Sequence, residues 1–145
     1  MASDRNGGCV CGAVRYTANG DPARVTICHC TWCQRRTGSA FGVEAVYKLD
    51  DVEFVGESLR SYRHTSETSG KWLDQYFCSQ CGTNLGLSLE RAAGTRSIPA
   101  GTFDDPSWLT RKTVKFRDIY MRSARDWSTV PDDAERHQEH FMRLL

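Results

Sequence analysis

The sequence has no long apolar run and no strong excess of charge of one sign. Its 145 residues carry a net charge of +1, and the basic residues are scattered along the chain. A transmembrane helix needs about 20 apolar residues in a row, and a nucleic-acid surface usually shows as a basic stripe. The first residues also lack the positive, then apolar, then small-residue order of a secretion signal. We therefore expect one cytoplasmic domain over residues 1–145, with neither a membrane nor a nucleic acid as its partner.

Internal repeats and low-complexity segments are also absent, so the fold must be inferred from short runs. Many β-rich runs separated by turn-forming residues predict a mainly β, antiparallel fold. The strand candidates are 13–18, 24–27, 40–47, 52–55, 59–63, 72–77, 84–89, 96–103 and 114–123. Pro131 followed by Asp132 and Asp133 predicts the start of a short C-terminal helix. We expect His137 and His140 on a solvated face of that helix rather than in a metal pair.

Cysteine is the residue type that stands out. An odd number of cysteines in a reducing compartment argues against a disulfide framework and favours metal binding. A single cysteine is more often a buried small hydrophobe, but tight spacing repeated three times is hard to explain by packing. The seven cysteines fall into three groups, Cys9 with Cys11, Cys28 with Cys30 and Cys33, and Cys78 with Cys81.

The groups divide into a set of four and a set of three. The C-x-x-C-G turn at Cys78 and Cys81 is typical of zinc ribbons, and the first pair would complete a closed four-thiolate site. In the middle group, alternation along extended backbone puts Cys28 and Cys30 on one side and His29 on the other, and a turn brings Cys33 round. A site with three protein ligands and one open position is typical of catalytic zinc. His64 or His29 as a fourth ligand is the alternative.

Three segments together resemble the glutathione-dependent formaldehyde-activating enzyme family, which includes centromere protein V-like members. They are Gly8-Cys9-Val10-Cys11-Gly12-Ala13-Val14-Arg15-Tyr16, Cys28-His29-Cys30-Thr31-Trp32-Cys33-Gln34-Arg35-Arg36-Thr37-Gly38-Ser39 and Phe77-Cys78-Ser79-Gln80-Cys81-Gly82-Thr83. Weaker similarity follows at Gly101-Thr102-Phe103-Asp104-Asp105-Pro106 and at Trp127. The resemblance implies an Mss4-like complex β fold with two zinc ions per chain. It implies a structural zinc on Cys9, Cys11, Cys78 and Cys81, and a catalytic zinc on Cys28, Cys30 and Cys33.

The family's activity is a carbon–sulfur lyase reaction, the condensation of formaldehyde with glutathione to S-(hydroxymethyl)glutathione. We therefore expect a small thiol and an aldehyde as partners. Arg35 and Arg36 follow the middle cluster, where they either offset thiolate charge or bind a carboxylate of a peptide-like thiol. The alternative is that both are solvated surface charges. His29 is a candidate proton carrier because its pKa is ordinarily near neutrality.

Two other classes of protein remain open at this point. A non-catalytic zinc module for a protein or nucleic-acid partner is the alternative to an enzyme, although a closed second site or a basic stripe would be expected of it. A redox protein that uses C-x-x-C is less favoured, because the βαβ context expected of such a protein is missing.

Overall fold

Short strands dominate the computed structural model of the chain, which describes residues 3–140. In that range the chain forms ten strands and one α-helix, which confirms the mainly β prediction. The strands are β1 Arg5–Gly8, β2 Arg15–Ala18, β3 Arg24–Cys28, β4 Gly42–Lys48, β5 Val52–Val55, β6 Leu59–Thr65, β7 Trp72–Cys78, β8 Asn84–Leu89, β9 Thr95–Pro99 and β10 Phe116–Ile119. The helix α1 spans Thr31–Thr37, and 3₁₀ turns lie at Leu49–Asp51, Glu90–Ala92, Ala100–Thr102 and Met121–Ser123. Between residues 3 and 140, no helix is both long and apolar enough to cross a lipid bilayer.

The strands form a small sheet and a large one. Strands β1, β2 and β5 make the three-stranded sheet, and the other seven pair in the order β10-β3-β4-β9-β8-β7-β6. Strand β10 runs parallel to β3, with Ile119 opposite Cys28, so the large sheet is mixed rather than purely antiparallel as predicted. The chain after β9 crosses over β4 and β3 to add β10 at the sheet edge. Local sequence patterns do not show a crossover of this kind.

The main apolar core joins the two sheets. Tyr16 of β2 lies in it with its ring edge against Phe54 and Phe103, at centroid distances of 5.8 and 5.7 Å. Burial of such side chains is the main favourable contribution to the stability of a fold of this size. The buried members of this core are Tyr16, Ala18, Val25, Ala45, Tyr47, Val52, Ile98, Phe103 and Val114.

The predicted hairpin with a cysteine turn at its tip is present. Strands β7 and β8 pair antiparallel from Leu73 opposite Leu89 to Phe77 opposite Asn84. The turn between them is closed by the Gly82 N–H, which donates to the Cys78 carbonyl oxygen at 2.8 Å. Cys78 and Cys81 therefore lie where the sequence places them, at the end of β7 and in the turn that follows.

The end of the chain differs from the predictions. The strand expected over 114–123 is limited to β10, because the chain turns at Tyr120, which has a left-handed φ of 56°. The C-terminal helix expected from Pro131 is wrong over residues 131–140, which form turns and a bridge from Arg136 to Asp118. This segment covers the open edge of β10, and pairing with a sheet edge outweighs a weak helix signal. The rest of the expected helix, residues 141–145, lies outside the described residues.

Gly86 in β8 is the glycine for which the backbone leaves least freedom. Its φ is +128°, and a Cβ atom there would lie 2.0 Å from the Ser97 carbonyl oxygen of β9. Gly86→Ala should therefore lower the free energy of unfolding by about 2–3 kcal/mol. Gly94→Ala is the control, because a Cβ atom there meets no described atom within 4 Å. Urea unfolding of both variants checks this expectation, and equal midpoints would contradict it.

Candidate metal centres and active site

Four cysteine sulfurs meet where the N-terminal segment lies against the β7–β8 turn. The Sγ atom of Cys11 is 3.6 Å from that of Cys9 and 3.7 Å from that of Cys78. With Cys81, all four Sγ atoms lie within 4.8 Å of one another. A tetrahedral zinc with Zn–S bonds of about 2.3 Å separates its sulfurs by about 3.8 Å. The four cysteines therefore fit a closed zinc site.

Hydrogen bonds favour the thiolate form of two sulfurs in this four-cysteine cluster, those of Cys9 and Cys81. The Val14 N–H donates to Cys9 Sγ at 3.3 Å, and the Thr83 hydroxyl lies 3.2 Å from Cys81 Sγ. The hydroxyl and backbone N–H of Thr83 lower the pKa of Cys81 to about 5. The Val10 N–H donates to the same hydroxyl, so Thr83 also ties the two halves of the cluster together. The pKa of Cys9 is also lowered, whereas burial and the neighbouring Cys9 thiol raise the pKa of Cys11 to about 12, so the ligands differ in how readily they ionise.

The second cluster forms where β3 runs into α1. Cys28 is the last residue of β3, Cys30 caps the N-terminus of α1, and Cys33 lies in its first turn. The three Sγ atoms lie within 4.8 Å of one another, and among the described residues no further histidine, cysteine or carboxylate joins the group. The sequence predicts a simple turn before Cys33. The structure uses a helix start instead, which points backbone N–H groups at Cys30.

The Cys30 sulfur has the most strongly stabilised thiolate of the three. Hydrogen bonds from the thiols of Cys28 and Cys33 outweigh burial and lower the pKa of Cys30 to about 3, with further help from the backbone N–H groups of Cys33 and Trp32. The Cys33 N–H lies 3.3 Å from Cys30 Sγ. Cys30 is partly exposed, whereas the side chains of Cys28 and Cys33 are buried. Solvent and small molecules therefore reach this cluster from the Cys30 side.

His29 points away from the sulfurs, as alternation along the strand predicts. Its ring is fully buried and its Nε2 atom lies 2.9 Å from Asp118 Oδ1 on β10. His64, the other candidate for a fourth ligand, stacks on Trp32 instead, with ring centroids 5.4 Å apart. Neither imidazole belongs to the cluster.

The two arginines after the cluster have different surroundings. Arg35 is exposed on α1, and its side chain makes no hydrogen bond or ion pair with a described residue. The Arg36 side chain is only 3% exposed, forms an ion pair with the buried Glu44 carboxylate, and places Nη2 3.7 Å from Cys33 Sγ. Arg36 is therefore not accessible to a substrate carboxylate in this structure.

Several residues that fix the three-cysteine cluster are missed by the sequence patterns. The Gln34 amide donates to the carbonyl oxygens of His29 and Ser123, at 2.7 and 2.9 Å. Asp118 holds His29, and Glu44 holds Arg36. A charged residue inside an apolar strand is the signal that could have found Glu44, which lies between Val43 and Ala45. Gln34 carries no comparable signal.

Partly buried aromatic side chains line the three-cysteine cluster. The rings of Trp32 and Tyr120 pack against a buried cluster formed by Cys28, Cys33 and Ile119. Tyr120 is the one non-glycine residue with positive φ in the described part of the chain. Non-glycine residues with such backbone angles concentrate at functional sites.

Removing one ligand of the four-cysteine cluster should destabilise the whole chain. Cys78→Ser is expected to lose one bound metal ion per chain, because the site keeps three of its four sulfurs and binds the metal more weakly. The free energy of unfolding should fall by about 4 kcal/mol at a free zinc level a thousand times Kd. Ser79→Ala in the same turn is the matched control. Elemental analysis and urea unfolding check this, and a Cys78→Ser protein with unchanged stability would contradict the structural role of the cluster.

The comparisons with known proteins agree with this arrangement. The sequence profile of one family, described as glutathione-dependent formaldehyde-activating enzyme, matches residues 4–123. No curated protein sequence matches the chain significantly. A crystal structure of a Rhodobacter sphaeroides protein, a structural genomics target, matches with a TM-score of 0.56 at 20% identity over 79% of this chain and 99% of that one. That likeness extends to the fold alone, whereas the profile spans both cysteine clusters. The chain belongs to the glutathione-dependent formaldehyde-activating enzyme family.

Proposed function

We propose that this protein is a zinc-dependent carbon–sulfur lyase acting on a thiol adduct, with S-(hydroxymethyl)glutathione as the first candidate. The observation that carries the proposal is a cluster of three cysteines with no fourth protein ligand among residues 3–140, in a member of a formaldehyde-activating family. We assign zinc to both clusters, because soft thiolate ligands in groups of three and four select it. The seven cysteines are all free, so we also place the protein in a reducing compartment such as the cytoplasm.

The chemistry needs a thiolate next to an aldehyde. In the synthetic direction the thiol loses its proton, its sulfur bonds to the aldehyde carbon, and the carbonyl oxygen takes up a proton. Zinc on Cys28, Cys30 and Cys33 would supply an open coordination position at which a thiol ionises near neutral pH. The reverse reaction breaks the same carbon–sulfur bond and returns the proton to sulfur.

The chain contributes orientation and exclusion of water. Cys28 and Cys33 are 7% and 4% exposed, so access is limited to the side of Cys30. Trp32 and Tyr120 pack at the cluster as partly buried rings. Their apolar surfaces exclude bulk water from the reacting atoms, and holding two reactants together lowers the entropic part of the barrier.

Arg35 is our candidate for holding the thiol substrate. It lies two residues after Cys33, is exposed, and has a guanidinium that can bind a carboxylate through two hydrogen bonds. Arg36, predicted from the sequence to share this role, is held by Glu44 instead. We therefore keep only Arg35 for a peptide-like thiol with free carboxylates.

The activity test is exchange NMR on formaldehyde and glutathione at equilibrium. We expect zinc-loaded protein to speed the interconversion of the adduct above the spontaneous rate in buffer. Cys30→Ser should return that rate to the buffer level, while the free energy of unfolding, measured at a free zinc level below the Kd of this site, changes by less than about 1 kcal/mol. Equal rates for protein, variant and buffer would contradict the proposed substrates. Unfolding of Cys30→Ser to the extent of Cys78→Ser would make the cluster structural.

The role of Arg35 has its own test. Arg35→Met should raise the glutathione concentration for half-maximal exchange by about tenfold, because a charge-assisted hydrogen bond contributes about 1.5–3 kcal/mol. With 2-mercaptoethanol, which has no carboxylate, the variant and the wild type should behave alike. An equal loss with both thiols would contradict carboxylate binding by Arg35.

A further inference from the structure

The most unusual polar contact near the three-cysteine cluster is the one that Arg36 makes from the interior. Its Nη2 atom donates to Glu44 Oε1 and also lies 3.7 Å from Cys33 Sγ. One guanidinium nitrogen carries two hydrogens, so the same group can serve the carboxylate and the sulfur together. The side chains of Arg36 and Glu44 are only 3% and 6% exposed. The contact with sulfur is therefore made by a charged donor that bulk water does not reach.

Neighbouring residues restrict the position of the Arg36 guanidinium. A Cβ atom at position 42 would be 2.5 Å from Arg36 Nη2, so Gly42 at the start of β4 makes room for it. The Trp32 ring lies on another side, with its centroid 5.5 Å from the guanidinium carbon. Glu44 projects from the same strand as Gly42, which is central in the large sheet. Strand β4 thus supplies both the space and the counter-charge for Arg36.

The opposite charges of Arg36 and Glu44 cancel for distant groups, whereas the Cys33 sulfur is in direct contact with the guanidinium. A buried arginine without a carboxylate would be strongly disfavoured, and Glu44 supplies that carboxylate. Burial raises the pKa of the Glu44 carboxyl, and the Arg36 guanidinium opposes this shift. Because the same guanidinium nitrogen contacts the carboxylate and Cys33, the sulfur accepts an N–H group whose positive charge is offset by Glu44. The effect on the cluster is therefore local to one of its three ligands.

We propose that Arg36, oriented by Glu44, is a positioning residue that holds an N–H on the Cys33 sulfur and weakens the donation of electrons from that thiolate to the bound metal. This inference rests on the proposed metal site at Cys28, Cys30 and Cys33. Three thiolates on a divalent ion leave a net charge of −1, which disfavours a fourth thiolate. A hydrogen bond that withdraws electron density from one sulfur keeps the metal a better acceptor for a substrate thiol. Groups behind a metal ligand commonly adjust the metal in this way.

The test replaces zinc by Co²⁺ and reads the sulfur-to-cobalt charge-transfer band, which does not depend on turnover. The variants are Arg36→Met and the double variant Arg36→Met/Glu44→Gln, which leaves no unpaired charge inside. Arg35→Met is the matched control, since it removes the same charge one residue earlier on the same helix. A triple variant, Cys28→Ser/Cys30→Ser/Cys33→Ser, keeps only the four-cysteine site. Its spectrum is subtracted from the others as the background. Circular dichroism checks that each variant folds.

We expect the band of the three-cysteine site to move to longer wavelength in both Arg36 variants, because the Cys33 thiolate becomes a stronger donor. In a titration with 2-mercaptoethanol, the same site should bind the added thiol about tenfold more weakly, because its metal becomes a poorer acceptor. Arg35→Met should match the wild type in both measurements. If the double variant folds with an unchanged band and affinity, the inference about Arg36 is wrong and the proposed site stands. If wild-type protein shows no band above the four-cysteine background, the metal site itself is wrong.

Discussion

Cysteine sulfurs held within 4.8 Å of one another repel when they are ionised together, and this chain contains two such groups. Such groups are stable only when a metal or a set of hydrogen bonds offsets their charge, so the backbone around them is arranged to supply donors. In the first group Val14 and Thr83 donate, and in the second the N-terminus of α1 and Arg36 donate. The first group also joins segments about 70 residues apart, from Cys9 to Cys81. Much of the fold can be understood as a support for these two groups of sulfurs.

The two clusters differ in what lies around them. The four-cysteine cluster is at the surface, with Cys11 and Cys81 exposed, and its ligand set is complete. The three-cysteine cluster lies at the carboxyl ends of β3 and β10, with His29 and Asp118 paired beneath it. This buried pair fixes the backbone between Cys28 and Cys30, as Gln34 fixes the start of α1. An incomplete ligand set held on a rigid base is what a catalytic metal site requires.

Ligand chemistry and local sequence patterns predict the cysteine clusters and the hairpin of this molecule. They do not predict the long-range pairing of its strands. The division of the cysteines, the β7–β8 hairpin and the direction of the His29 side chain away from the sulfurs follow from spacing and alternation, both of which act over a few residues. The parallel pairing of β10, the chain reversal at Tyr120 and the bridge from the segment after Pro131 depend on one another, because the last strand needs a partner at the sheet edge. Glu44 and Asp118 acquire roles only after distant strands come together. For the same reason, the sequence does not distinguish Arg35, which is exposed, from Arg36, which is buried beside Glu44.

The central claim is that one cluster is closed and the other has room for a substrate sulfur. Zinc K-edge X-ray absorption on protein with two zinc ions per chain tests it directly, because the method counts the average number of sulfurs around the metal. A four-sulfur site and a three-sulfur site give an average of about 3.5 sulfurs per zinc, and a thiol at the open position raises it to about 4. We predict this rise when glutathione is added. An average of about 4 without thiol, or no change when thiol is added, would contradict the account.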